Sequence, residues 1–325
     1  MTEPVDAFVL GRLLADIYPQ QVRTPLEDVR TFERFVGGFA GNVGIGLARL
    51  GVRTAVLSGV GDDGHGRFVL KTLRREGVET RWVRVDPVLR TALAFCEMWP
   101  PDHFPFTAYR FPTCPDWELS ESDLPRDEIA DAPLLFVSGT ALAKEPSRTA
   151  TYAALECRLA RSPRQVATVV DLDWREAYWE RPSEYPLHVR MALRMADTVI
   201  GGDSEFEAAE MQPEEAQALG PARVFVKHGP RGASLFLGSE RFDVDALATP
   251  VVNGLGAGDA FAAAVGQGLL AGAPPLDLLT AANAAGAIVT TRIACSAAMP
   301  FKEELTRFLE TGVMPGPEGA GPREG

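Results

Sequence analysis

Short unbroken apolar runs alternate along the chain with stretches whose apolar positions recur every three or four residues. The runs Val5–Gly11, Thr54–Val60, Leu134–Gly139, Gln165–Leu172, Thr198–Gly201 and Arg223–Lys227 predict strands. A strand covered on both faces needs no polar alternation, so these read as buried. Helical spacing predicts Asn42–Leu50, stopped by Gly51, and helices near Gly66–Glu76, Ser147–Arg161, Ala257–Ala271, Leu276–Arg292 and Lys302–Glu310. Strand and helix in alternation predict a three-layer α/β domain with a mainly parallel sheet, spanning residues 1–311.

Two segments break the alternation. Residues 22–36 and 80–111 lack a helical period, and the second is rich in aromatics and prolines. They predict extra strands forming a small lid on one edge of the sheet, or else an ordinary surface insertion. Residues 312–325, with five glycines and three prolines, read as a disordered tail.

Composition narrows the partners. The 325 residues carry a net charge of -12, which argues against nucleic acid and anionic membrane surfaces. The most apolar later stretch, 256–273, contains Asp259 and Gln267, so no membrane span is expected. Cys96, Cys114, Cys157 and Cys295 form no CxxC pair and read as free thiols of a reducing cytoplasm. The opening residues lack the basic and apolar regions of a signal peptide. Asparagine occurs only at 42, 253 and 283, each time in a Gly/Ala-rich segment.

The chemistry begins at Asn253-Gly254-Leu255-Gly256-Ala257-Gly258-Asp259-Ala260-Phe261. Gly256, Ala257 and Gly258 leave backbone N–H groups bare at a helix start, which suits an anion. Asp259 sets a proton acceptor beside that hole, a pairing that suits phosphoryl transfer to a hydroxyl. The chain has no GxxxxGK[ST], HExxH or GxSxG, no GxGxxG after the first strand and no zinc-type His/Cys spacing, which removes the common nucleotide, hydrolase and metal motifs.

Other pieces accompany it. Gly11-Arg12-Leu13-Leu14-Ala15-Asp16 follows strand one, where open α/β sheets bind ligands. Asp16 there accepts from sugar hydroxyls or caps a turn. In Gly37-Gly38-Phe39-Ala40-Gly41-Asn42 the glycines allow a ligand close to backbone, and Asn42 is a ligand or a helix N-cap. Asp171-Leu172-Asp173-Trp174-Arg175 ends another strand, and Arg175 suits a carboxylate or the phosphates of ATP. Arg110, in the lid, faces a substrate anion or solvent. Lys227-His228-Gly229-Pro230-Arg231-Gly232 is a β-turn, or the lining of an adenosine pocket.

These pieces, in this order, resemble the PfkB-type, ribokinase-like carbohydrate kinases. Gly37-Gly38, Asn42 and Leu47-Ala48-Arg49-Leu50-Gly51 match the family's N-terminal signature, and Gly256-Ala257-Gly258-Asp259-Ala260-Phe261 the C-terminal one. The resemblance implies the ribokinase-like fold, ATP and Mg²⁺. It makes Asp259 the base and the Gly256–Gly258 amides the anion hole. Asp16, Gly38, Asn42, Arg110 and Arg175 are expected at the substrate, and Lys227, Gly229, Gly232, Asn283, Gly256 and Gly258 at the nucleotide. Glu205 is expected to act on Mg²⁺ through water.

Four segments resemble a subgroup acting on 5-dehydro-2-deoxy-D-gluconate, a sugar acid of myo-inositol breakdown. They are Gly11-Arg12 with Asp16-Ile17-Tyr18-Pro19, Phe95-Cys96-Glu97 with Pro100–Pro105, Asp171-Leu172-Asp173 with Arg175, and Asn253 before Leu255. The resemblance implies phosphorylation of the 6-hydroxyl. A 2-keto-3-deoxygluconate kinase, a fructokinase and a catalytically weak sensor of the same family are the alternatives. Gly202 stands where the family usually has Asn, with Asp203 as a possible substitute. Phe39 replaces a small residue and predicts a narrowed sugar pocket. Apolar residues of the lid predict a homodimer formed through it.

Overall fold

The computed structural model describes residues 4–316 except 161. In chain order it runs through β1 (Ala7–Leu10), β2 (Leu14–Pro19), β3 (Phe32–Gly37), α1 (Phe39–Arg49), β4 (Thr54–Gly61) and α2 (Gly64–Arg75). There follow β5 (Val83–Asp86), β6 (Leu93–Cys96), β7 (Phe106–Tyr109), α3 (Arg126–Asp131), β8 (Leu134–Ser138), α4 (Ser147–Glu156) and β9 (Ala167–Asp171). Next come α5 (Tyr185–Leu193), β10 (Thr198–Gly202), α6 (Asp203–Ala208), α7 (Pro213–Leu219), β11 (Arg223–Lys227), β12 (Ala233–Leu237) and β13 (Glu240–Val244). The chain closes with α8 (Ala257–Ala271), α9 (Pro275–Thr290) and α10 (Lys302–Thr311).

Nine strands form one sheet in the order β13-β12-β11-β10-β9-β8-β1-β4-β5. All neighbours pair in parallel except the antiparallel β11-β12 and β12-β13. The strands β1, β4, β8 and β9 are buried at every position, because helices cover both faces. Within β1 the pleat divides the burial. Ala7 and Val9 join the core under α1, α8 and α9. Phe8 and Leu10 join the opposite core, under α4 and α5.

The lid is a separate four-stranded sheet in the order β3-β2-β6-β7. Its extent differs from the sequence expectation. Leu14–Pro19, assigned to no element from the sequence, is a fully buried lid strand. Of residues 22–36 only 32–36 lie in a strand, while Val83–Asp86 pairs with β4 in the main sheet. Strands of four to six residues are too short for a period to separate them from loop. The hairpin β12-β13 was not anticipated either, because β13 is largely exposed and carries Glu240, Arg241 and Asp243.

Smaller corrections follow. Helix α1 starts at Phe39 with Gly38 as N-cap, so Asn42 lies inside the first turn and caps nothing. Helix α4 ends at Glu156, and Arg161 lies outside the described residues. Part of the expected tail is folded: Met314 packs against the core. Residues 317–325 lie outside the described set. No helix among the described residues is long and apolar enough to cross a membrane.

Candidate active site

Two helix starts converge between the sheet and the lid. Gly38 enters α1 at φ +82, where a Cβ would stand 2.5 Å from the Arg12 carbonyl oxygen. Only glycine fits both the angle and the space. Gly256 enters α8 at φ +84, in the left-handed region. The two helices pack along each other, and this joins residues 217 positions apart: Asn42 Nδ2 donates to Asp259 Oδ2 at 2.7 Å. Asn42 Oδ1 is buried without a partner, so it remains an acceptor for a ligand hydroxyl.

Asp259 stands in the first turn of α8, where backbone N–H groups have no partner within the helix. Burial pushes its carboxyl up to about 6, with the Asp173 charge adding and the Asn42 bond opposing. It is therefore a mostly ionised acceptor at neutral pH. Beside it, Lys227 Nζ lies 3.2 Å from where a Cβ on Gly258 would stand, 3.5 Å from Glu205 and 3.6 Å from Asp171. Burial alone would lower its pKa, but Asp171 and then Glu205 outweigh that and keep it an ammonium.

The far end of the cleft carries guanidinium groups. Its wall includes Arg12, Asp16, Gly38, Asn42, Arg175 and Asp259. Arg12 Nη1 donates to Asp173 at 2.5 Å and also to Thr140. Arg175 Nη2 lies 3.7 Å from Asp173, with its side chain 41% exposed. Burial would raise Asp173, yet Arg12 and then Arg175 hold it down at about 2. Asp16 faces the same space from β2, and burial pushes it up to about 7. Across the lid, Tyr18 Oη lies 2.7 Å from Cys295 Sγ, closing one side of the cleft.

Several expected residues fall elsewhere. Arg110 does not line the cleft: its side chain is fully buried, doubly bonded to Asp116 and stacked 4.4 Å from the Trp117 ring. Phe39 points into the core and narrows no pocket, because α1 begins at that residue and turns the ring inward. Asp203, at the start of α6, pairs with His228 at 2.7 Å and Arg231 at 2.6 Å. Glu205 accepts from the Gly202 N–H at 2.6 Å, closing the turn into α6. Gly229 and Gly232 bracket the turn between β11 and β12. Asn283 lies on α9, where its Nδ2 donates to the Asp245 carbonyl oxygen. Conversely, Arg12 and Asp173 were not singled out from sequence as ligands. The available signal was an arginine immediately past strand one.

Residues 6–302 match the model of the pfkB family carbohydrate kinases. A 5-dehydro-2-deoxygluconokinase of Clostridium tetani is 33% identical over 95% of this chain and 94% of its own. The chain belongs to the pfkB family of carbohydrate kinases.

Solved members of the same fold agree. A sugar kinase of Pyrococcus horikoshii in complex with ATP superposes at TM-score 0.80 and 26% identity, over 94% of this chain and 98% of that one. A fructokinase double mutant of Vibrio cholerae, bound to fructose, ADP and potassium, gives 0.81 and 28%, over 95% and 100%. For this pfkB kinase the cleft between sheet and lid brings together the carboxylates of Asp16 and Asp259, the start of α8 and two arginines.

Proposed function

We propose that this carbohydrate kinase transfers the γ-phosphoryl group of ATP to the 6-hydroxyl of 5-dehydro-2-deoxy-D-gluconate, as part of inositol breakdown in the cytoplasm. The observation that carries this reading is the pairing of Asp259, at the start of α8, with Arg12 and Arg175 in one cleft. A neutral sugar requires a base and hydroxyl partners. Two arginines beyond them suit an acceptor with a carboxylate.

In this reading the acceptor hydroxyl gives its proton to Asp259 as its oxygen attacks the γ-phosphorus. The bond to the β–γ bridging oxygen breaks, and ADP leaves with the electron pair. Asn42 holds the Asp259 carboxylate in place and offers its free Oδ1 to the sugar. The amides of Gly256, Ala257 and Gly258 face charge on the transferring group, and Lys227 lies close enough to Gly258 to add to them. In this reading Gly229, Gly232 and Asn283 belong to the nucleotide side. Mg²⁺ supplies charge neutralisation on the phosphates when bound. Glu205 is the residue that would act on this ion, through water.

The outer face of the lid bears Phe32, Phe95 and Tyr109 in edge-on contact, with successive ring centroids 5.5 Å apart. That stripe supports a homodimer formed through the lid. The substrate reading is tested by ADP release across a panel of 5-dehydro-2-deoxy-D-gluconate, 2-keto-3-deoxygluconate and fructose. The first is expected to have the highest kcat/KM. Fructose as the best acceptor overturns the reading.

A further inference from the structure

The arginine expected to meet the acceptor's carboxylate, Arg110, is buried against Asp116. The structure points to a different device. We propose that Arg12, held by Asp173 beside Arg175, is the carboxylate-binding residue that makes this cleft select sugar acids. The inference rests on the reading of the acceptor as a sugar acid and assigns its selectivity to named atoms.

The construction around Asp173 is elaborate for a single ion pair. Its carboxylate accepts from Arg12 Nη1 at 2.5 Å, Ser138 Oγ at 2.5 Å and Thr140 Oγ1 at 2.9 Å. Its own N–H donates to Asp171 Oδ1 at 3.0 Å. Asp173 also sits at φ +35, a left-handed angle uncommon outside glycine, asparagine and aspartate. Ser138 and Thr140 are fully buried at the end of β8. Three elements, β1, β8 and β9, thus converge to aim one carboxylate at Arg12.

The charges at this end do not cancel. Arg12 and Arg175 both lean on Asp173, so at this end two cations share one anion, and the next carboxylate that both feel is Asp259 at the other end of the cleft. The Arg12 guanidinium is further fixed 5.3 Å from the Tyr178 ring, which itself lines the cleft. A planar fork held on one edge by a carboxylate presents its remaining N–H groups in a fixed direction, which suits a second carboxylate. Asp16 faces the same space, and burial pushes its carboxyl up, so it opposes an incoming carboxylate less than a fully ionised group would. Arg175, more exposed, has the freedom to close over the ligand once it is seated.

Asp173 acts through Arg12 and is a positioning residue. Its role separates from mere structural support by a split in kinetic constants: Asp173→Asn raises KM for the sugar acid while kcat and KM for ATP hold.

The test compares kcat/KM for 5-dehydro-2-deoxy-D-gluconate and for fructose in wild type, Arg12→Gln and Arg12→Lys. The ratio of the two constants cancels the concentration of active enzyme, so a partly folded variant still reports. Two charge-assisted hydrogen bonds lost correspond to about 100-fold in that ratio for Arg12→Gln. Arg12→Lys keeps the charge without the fork and loses roughly tenfold. If the single variants do not fold, Arg12→Gln combined with Asp173→Asn removes the buried charges together, and the same fall in the ratio is expected. A ratio unchanged from a wild type that prefers the sugar acid overturns the role of Arg12 alone. A wild type with no preference for the sugar acid overturns the acceptor reading as well.

Discussion

The two ends of the cleft are built differently. At the phosphoryl end, the working groups are neighbours in sequence: Gly256, Ala257, Gly258 and Asp259 occupy one helix start, and Lys227 and Asn42 close around them. At the arginine end, Arg12, Ser138, Asp173 and Arg175 come from the ends of three strands and meet only in the folded sheet. The first end is a local motif and the second a product of topology. Chemistry that must be the same for every acceptor suits the first. Discrimination among acceptors suits the second, where one residue changes without disturbing a helix start.

Variants at each end break the comparison if they behave alike. The largest effect is expected for Asp259→Asn, which keeps the shape and removes the proton acceptor. It loses about 10²–10⁴ in kcat on every acceptor, while ATP affinity measured by calorimetry stays within a fewfold of wild type. Near-normal turnover in this variant contradicts the role of Asp259.

Arg110→Gln is next in size and is felt in stability. It leaves Asp116 buried without its cation, at a cost of about 3–5 kcal/mol by denaturant titration. The acid-to-fructose ratio of the folded enzyme should hold. A fall in that ratio with stability unchanged would return Arg110 to the cleft.

The pH profile sharpens the phosphoryl end. Protonated Asp259 cannot accept, so kcat/KM falls as pH drops through about 6, the value to which burial pushes this carboxyl. The Asn42 bond lowers that value, so Asn42→Ala moves the acid limb to higher pH, and its fold-loss grows as pH falls toward 6. An unmoved limb in the variant separates Asn42 from the base. The smallest effect is expected for Phe39→Leu. Phe39 is a core residue, so stability falls by at most about 1.5 kcal/mol and KM for the acceptor does not change.

Legibility in the sequence followed the same division. The parallel sheet was readable because buried strands such as Leu134–Ser138 are uninterrupted apolar runs. The Gly256–Asp259 helix start was readable because its residues are contiguous. The lid strand Leu14–Pro19 was hidden, since its burial comes from a partner sheet that no local pattern announces. Arg110 was misplaced because Asp116, six positions on, folds back to claim it, and nothing in the spacing distinguishes that bond from a free arginine. Arg12 went unassigned because its partner lies 161 residues away.

The most direct test of this division is a side-by-side measurement of kcat/KM for 5-dehydro-2-deoxy-D-gluconate and fructose in Asp259→Asn and Arg12→Gln. The account predicts that Asp259→Asn depresses both acceptors by the same factor, whereas Arg12→Gln depresses the sugar acid and leaves fructose within about threefold of wild type. Equal losses on both acceptors in Arg12→Gln would contradict it.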